Sequence, residues 1–256
     1  MFNVPNLFSL GNLLCGCIAT LTVIEGNLFP AAFLVMLASV FDFLDGFAAR
    51  GLKQGSPMGK ELDSLADMVT FGVVPGMVMF QLIRASLAFH STNPPLLDAY
   101  LPYAGFIVPL FSALRLAHFN VDTKQSTSFI GLPTLANALL ICGLPYWMKA
   151  NAEFTPGASG GFMSDYEKAE IEAFVFPVWA LVAGTVVLCF LLISKLPMFS
   201  FKVKNVKWKG NEIRYVFLVG AVLLAVLLQL KALSVIIVWY ILMSLVNAMI
   251  RRKEQL

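Results

Sequence analysis

Four aspartates, separated by small and basic residues, form the most informative pattern in this chain. The pattern reads Asp42-x-x-Asp45-Gly46-x-x-Ala49-Arg50, then eight residues, then Gly59-x-x-x-Asp63-x-x-x-Asp67. Spacings of three and four residues place the two members of each aspartate pair on one face of a helix. A short connection makes the two helices antiparallel neighbours, so we expect both pairs to converge on one site.

Carboxylates gathered in this way repel one another and need positive charge among them to stay ionised. Divalent cations supply that charge, and hard oxygen ligands without nearby His or Cys favour Mg2+ or Mn2+ over zinc, with Ca2+ a further candidate in a crystal. Two cations sharing carboxylates form the arrangement used for in-line displacement at phosphorus. The pattern therefore predicts a two-cation site for phosphoryl chemistry.

The composition predicts an integral membrane protein. Of the 256 residues, 59% are hydrophobic and 13% are charged, and the mean hydropathy is +0.80. Ionisable side chains inside a membrane segment are costly and indicate a functional site. No Lys or Arg precedes the first apolar run, so we expect a retained first helix instead of a cleaved signal peptide.

Apolar runs long enough to cross a bilayer recur along the chain. We therefore expect an all-α polytopic transmembrane helix bundle with about eight spans. The predicted spans are 6–25, 29–50, 59–88, 100–120, 131–150, 172–195, 212–230 and 232–250.

The basic residues predict the orientation of the bundle. Most of the 18 Lys and Arg residues lie on one side of it, with Arg84, Lys149, Lys168 and Lys231 opposite. By the positive-inside bias, both termini and the aspartate cluster face the cytoplasm from the cell (inner) membrane, and the acidic 153–172 loop lies outside. The net charge of +3 is grouped at helix ends, so no nucleic-acid partner is expected. The basic 202–214 segment is either a linker on the anionic leaflet or a cytoplasmic stop signal.

The string from Asp42 to Asp67 resembles the signature of the CDP-alcohol phosphotransferase family, and every position of that signature is present. The resemblance implies a six-helix catalytic core, which we place at 1–195, followed at 196–256 by a basic cytoplasmic linker and two further transmembrane helices. It implies transfer of a phosphatidyl or similar group from a CDP-activated donor to an alcohol, with release of CMP. It also implies a homodimer.

Roles follow from the resemblance position by position. Asp67 is implied to act as the general base as well as a cation ligand. The implied ligands of the two cations are Asp42, Asp45, Asp63 and Asp67. The small residues implied to shape the nucleotide pocket are Gly46, Ala49 and Gly59.

Three further polar residues are candidates for binding the donor. Arg50 lies near the same mouth and either holds a phosphate oxygen or anchors its helix at the interface. Asn6 and Asn12 in the first helix either contact the cytidine or pyrophosphate or only join neighbouring helices.

Three other stretches resemble the phosphatidylserine synthase branch of the family, and the similarity covers about the first 140 residues. The resemblance implies CDP-diacylglycerol as donor, L-serine as acceptor and a membrane lipid as product. Serine needs a donor-rich pocket, which Arg115, Asn120 and Thr134 provide, whereas a phosphorylated acceptor calls for a denser basic cluster. The stretches are 5–16, 63–75 and 115–120 with 129–134.

Two alternatives stay open at this point. One is the same family with glycerol 3-phosphate or an inositol-type acceptor. The other is a divalent-cation transporter, since intramembrane aspartates also mark ion pathways. A transporter usually places its ligands near the midplane of paired halves, whereas this chain gathers them at one mouth.

Overall fold

The computed structural model of the protein describes residues 3–90, 98–121, 129–148, 175–198 and 211–253. Nearly all of these residues are helical. The α-helices are α1 (Val4–Ile24), α2 (Leu28–Gly51), α3 (Pro57–Asp67), α4 (Val74–His90), α5 (Ile107–Val121), α6 (Thr134–Gly143), α7 (Val178–Ile193), α8 (Glu212–Leu228) and α9 (Ala232–Lys253). The shorter helical segments are a π-helical segment (Met68–Val73) and 3-10 segments at Asp98–Phe106, Leu144–Tyr146 and Gln229–Lys231.

The all-α membrane bundle predicted from the sequence is confirmed, since each of the eight predicted apolar segments contains a helix in the structure. Five helical stretches are long and apolar enough to cross a membrane, and two further apolar helices are shorter. The number of spans stays a prediction. So does the division at 195 and 196, and both the 202–209 part of the basic segment and the 153–172 loop lie outside the described residues.

Side-chain caps set where α1 and α3 begin. Asn3 accepts a hydrogen bond from the Asn6 amide at 3.0 Å, and Ser56 accepts one from the Gly59 amide at 3.0 Å. Each cap satisfies an otherwise unpaired N–H of the first turn, and each helix also has proline there. Asn3 Nδ2 donates in addition to the Gln54 carbonyl at 3.3 Å. The starts of α1 and α3 therefore lie together at one end of the bundle.

The backbones of α1 and the π-helical segment approach closely. A Cβ added at Gly16 would lie 3.1 Å from the Thr70 Cα, so no larger residue fits without moving the backbone. The Thr70 hydroxyl donates to the Asn12 carbonyl across the same contact at 3.1 Å. The π-helical segment directly follows Asp67 and precedes α4, which contains Pro75 and Gly76 in its first turn.

A short antiparallel pairing fixes the entry to α6. Strand β1 (Phe129–Ile130) pairs with β2 (Pro197–Met198), and the Gly131 amide donates to the Leu196 carbonyl at 2.9 Å. Gly131 has a φ of +77°, and a Cβ there would lie 2.6 Å from the Leu192 carbonyl oxygen. This turn carries the chain into Thr134, the first residue of α6.

The substitution Gly16→Val should destabilise the bundle, because the added side chain would collide with the backbone at Thr70. We expect a loss of about 1–3 kcal/mol, as for other overpacked sites, measured as a lower midpoint of thermal unfolding in detergent. Valine at Gly184 in α7 is the matched control, because a Cβ there meets nothing within 4 Å. Equal midpoints for the two variants would contradict the close approach.

Candidate active site

Three of the four aspartates form one cluster. Asp42 on α2 and Asp63 and Asp67 on α3 each place a carboxylate oxygen within 4.8 Å of the other two. Their spacing along the two helices turns them toward the same point, as the sequence predicts. All three are partly buried.

Asp45 lies next to this cluster and has a different partner. Its carboxyl group is adjacent to that of Asp63, but the residue is only 7% exposed, and its Oδ2 accepts a hydrogen bond from the Ser9 hydroxyl at 2.7 Å. Its role as a cation ligand therefore stays a prediction.

One face of α1 supports the acids. Asn6, Ser9 and Asn12 are three residues apart and buried, with exposed fractions of 4%, 2% and 0%. Asn12 Nδ2 donates to Asp67 Oδ1 at 3.0 Å, beside the bond from Ser9 to Asp45. Sequence reasoning did not select Ser9, although its period of three with the two asparagines was a usable signal.

Buried oxygen atoms in the cluster lack a hydrogen-bond partner. Within the described ranges, these include Asp63 Oδ1 and Asn12 Oδ1. Unpaired buried polar atoms are rare, and each calls for an explanation such as an ion. Oxygen-only donors around an unpaired carboxylate oxygen fit a hard divalent cation.

The small residues of the motif lie where side chains approach closely. A Cβ at Gly59 would be 3.0 Å from Asn6 Oδ1, and a Cβ at Gly46 would be 3.4 Å from Arg50 Nη1. Gly59 therefore admits the Asn6 amide between α1 and α3, and the Arg50 guanidinium lies over Gly46. Ala49, one turn from Gly46 on α2, is partly exposed at this end of the bundle.

A cavity of about 480 Å³ opens beside the cluster. Its wall includes three of the acids together with the predicted acceptor residues Arg115, Asn120 and Thr134. The charged and polar lining residues are Asp42, Lys60, Asp63, Ser64, Asp67, Arg115, Asn120, Thr134 and Tyr240. The other predicted site residues, which are Asp45, Gly46, Ala49, Arg50, Gly59, Asn6 and Asn12, lie around the cluster and do not line this cavity.

Hydrogen bonds hold the predicted acceptor residues in place. Arg115 Nη1 lies 3.4 Å from the Thr134 hydroxyl, to which it donates, while Arg115 Nε is buried without a partner. Asn120 joins α5 to α3, because its carbonyl accepts from Lys60 Nζ at 2.8 Å and its side-chain amide donates to Ser64 Oγ at 2.8 Å. Sequence reasoning did not select Lys60 or Ser64 as site residues. Lys60 lies three residues before Asp63, and Ser64 lies three residues before Asp67, on the same helix.

The last two helices also reach this cavity. Phe217 of α8 and Ile237 and Tyr240 of α9 form part of its lining. Sequence reasoning found no interpretable polar pattern in these two helices. An aromatic residue inside an apolar helix carries no local signal that distinguishes a cavity wall from lipid contact.

Comparison with known proteins gives a consistent result. A family model described as CDP-alcohol phosphatidyltransferase matches residues 2–247. The chain is similar to a CDP-diacylglycerol–serine O-phosphatidyltransferase of Bacillus subtilis, with 32% identity over 171 residues, covering 59% of this chain and 89% of the relative.

Two further proteins are similar to this chain. An archaetidylserine synthase of Methanothermobacter thermautotrophicus is 35% identical over 140 residues, which cover 54% of this chain and 55% of the relative. A CDP-diacylglycerol–serine O-phosphatidyltransferase of Saccharomyces cerevisiae is 34% identical over 144 residues, which cover 53% of this chain and 48% of the relative. The chain thus spans about half the length of these two relatives.

Proposed function

We propose that this chain, which belongs to the CDP-alcohol phosphatidyltransferase family, transfers the phosphatidyl group of CDP-diacylglycerol to the hydroxyl of L-serine. The family resemblance predicted from the motif is confirmed by the match over residues 2–247. One observation carries the proposal: a single cavity is lined both by three of the acids and by the guanidinium-bearing Arg115, whose Nε is buried without a partner. The names of the three relatives described above all contain serine.

The acidic cluster is the proposed site of two Mg2+ or Mn2+ ions, held by Asp42, Asp45, Asp63 and Asp67. Such ions, when bound, polarise the diphosphate of the donor and stabilise the charge on the departing CMP. The chain's own contribution is to hold the acids in place. Ser9 holds Asp45 through a hydrogen bond of 2.7 Å, and a hydrogen bond of this kind orients the carboxylate as a cation ligand.

Asp67 is the proposed general base. Asn12 holds its Oδ1 at 3.0 Å, so the proton of the serine hydroxyl passes to Oδ2 as the serine oxygen attacks phosphorus. A new bond forms between that oxygen and the phosphatidyl phosphorus, the bond from phosphorus to the CMP oxygen breaks, and CMP leaves with the bonding electron pair.

The donor is proposed to lie against α1 and the motif. Asn6 and Asn12 are proposed to contact the cytidine or pyrophosphate, although Asn12 is fully buried and its amide also donates to Asp67. Arg50 offers a guanidinium to a phosphate oxygen. Its nucleotide pocket is proposed to be shaped by Gly46, Ala49 and Gly59. For the acyl tails, the face of α2 that carries Phe43 and Phe47 is available, because these side chains are 66% and 62% exposed and Phe43 also lines the cavity.

The acceptor is proposed to lie between Arg115, Asn120 and Thr134. Arg115 has donors suited to a carboxylate, and its buried Nε has no partner of its own. Arg115 is close enough to Asp67 for the guanidinium and the carboxylate to interact. This proximity matches a small acceptor whose own carboxylate and hydroxyl are a few bonds apart.

The site is proposed to face the cytoplasm, with both termini on the same side and the protein acting as a homodimer. The start of α1 lies beside the connection from α2 to α3, as the bond from Asn3 to Gln54 indicates. The same connection and the helix ends beside it carry three basic residues, Arg50, Lys53 and Lys60, in agreement with the positive-inside bias.

The acceptor can be tested directly. Purified protein incubated with CDP-diacylglycerol and Mn2+ should release CMP when L-serine is added, because the cavity offers a carboxylate receptor beside the acids. Glycerol 3-phosphate and inositol serve as the competing acceptors, with CMP measured in each reaction. Release with glycerol 3-phosphate or inositol but not with L-serine would overturn the serine assignment and leave the family membership intact.

Cation binding can be tested separately from turnover. Asp63→Asn should abolish Mn2+ binding measured by electron paramagnetic resonance, because it removes the central carboxylate. Ser9→Ala should weaken binding by about tenfold through loss of orientation. Ser39→Ala is the matched control, because this α2 hydroxyl donates to Met36 within its own helix. Unchanged Mn2+ affinity in Asp63→Asn would remove the cluster as the cation site.

The proposed base has its own prediction. Asp67→Asn should lower turnover by at least about 100-fold, as expected for loss of a general base, while CDP-diacylglycerol still binds. Turnover is followed by CMP release, and donor binding by isothermal titration calorimetry. Turnover at the level of the unmodified protein would exclude Asp67 as the base.

A further inference from the structure

The C-terminal hairpin, formed by α8 and α9, closes one side of the cavity. Its three contributions to the wall are Phe217, Ile237 and Tyr240. The hairpin is thus part of the proposed acceptor pocket, although it follows the motif by about 150 residues.

Specific contacts hold α9 against α6. The Ser234 hydroxyl donates to the Leu140 carbonyl at 2.9 Å, and a Cβ at Gly143 would lie 2.9 Å from the Ser234 amide nitrogen. At the turn of the hairpin, Trp147 Nε1 donates to the Lys231 carbonyl at 3.0 Å, and Lys231 Nζ lies 5.7 Å from the centre of the Trp147 ring. Because α6 also carries Thr134, these contacts fix α9 relative to the acceptor residues.

The Tyr240 side chain is held in a defined position within this wall. It is only 4% exposed, and its ring packs edge-on against Phe217 with the centroids 5.9 Å apart. It lies close enough to Arg115 for the two groups to interact electrostatically. The Tyr240 hydroxyl also interacts with the Ser244 side chain of the same helix. Because a phenol oxygen that accepts a hydrogen bond keeps its own hydrogen, it still has a donor for a carboxylate beside the guanidinium.

We propose that Tyr240 is a specificity-determining residue, whose hydroxyl joins Arg115 in binding the carboxylate of the acceptor while Phe217 and Ile237 limit the acceptor's size. The inference rests on the proposed serine transfer. Two donors and the proposed base in the wall of one cavity suit a short acceptor with a carboxylate and a hydroxyl. A larger polyol phosphate would need more of the space that Phe217 and Ile237 bound.

Tyr240→Phe tests the hydroxyl, because it keeps the ring and its contact with Phe217. We expect the KM for L-serine to rise about tenfold, the effect of losing a hydrogen bond to a charged group, with the KM for CDP-diacylglycerol within about twofold of the original. Tyr240→Ala should raise the serine KM further. Trp239→Phe is the matched control, because this neighbouring indole packs on Gly220 of α8 and does not line the cavity.

Each result has a distinct meaning. A selective rise in the serine KM of Tyr240→Phe, absent in Trp239→Phe, supports the inference. An unchanged serine KM in Tyr240→Phe overturns it, and so does a parallel change in both KM values and in thermal stability, which would show a purely structural role. Failure of the unmodified protein to use L-serine would appear before any variant is compared, and would count against the proposed function together with this inference.

Discussion

The concentration of carboxylates in an apolar bundle is the constraint on which the rest of the structure depends. Asp63 lies between Asp42 and Asp45, and Asp67 completes the cluster one turn further along α3. Like charges this close are unfavourable in a low-dielectric environment. Donors from α1 offset part of this cost, because Ser9 donates to Asp45 and Asn12 donates to Asp67.

Close backbone contact gives the site its rigidity. The contact of Gly16 with Thr70 ties α1 to the π-helical segment immediately after Asp67, and the Gly59 position admits Asn6 on the other side of α3. Segments of π-helix occur frequently at functional sites, because the extra residue per turn re-aims the side chains around it. Here the segment separates the part of the helix that carries the acids from α4, which is packed in the core.

Local spacing in the sequence was sufficient to predict the helices and the cluster. The aspartates at intervals of three and four residues predicted the shared faces, and the apolar runs predicted every described helix region. Ser9 was within reach of the same reasoning, through its period with Asn6 and Asn12. Tyr240 was not, because its place beside Arg115 depends on how α9 packs on α6, and this contact joins residues about 100 positions apart.

The cavity is lined by groups of opposite charge, which are the three acids and Arg115, and under the proposed function this favours one direction of binding. The acids would attract cations and, through them, the diphosphate of a donor, whereas the guanidinium of Arg115 would attract an anionic group of the acceptor. A zwitterionic acceptor placed with its carboxylate at Arg115 would present its hydroxyl toward Asp67 without bringing a second phosphate near the diphosphate. Repulsion between phosphates would then disfavour a phosphorylated alcohol in the same cavity.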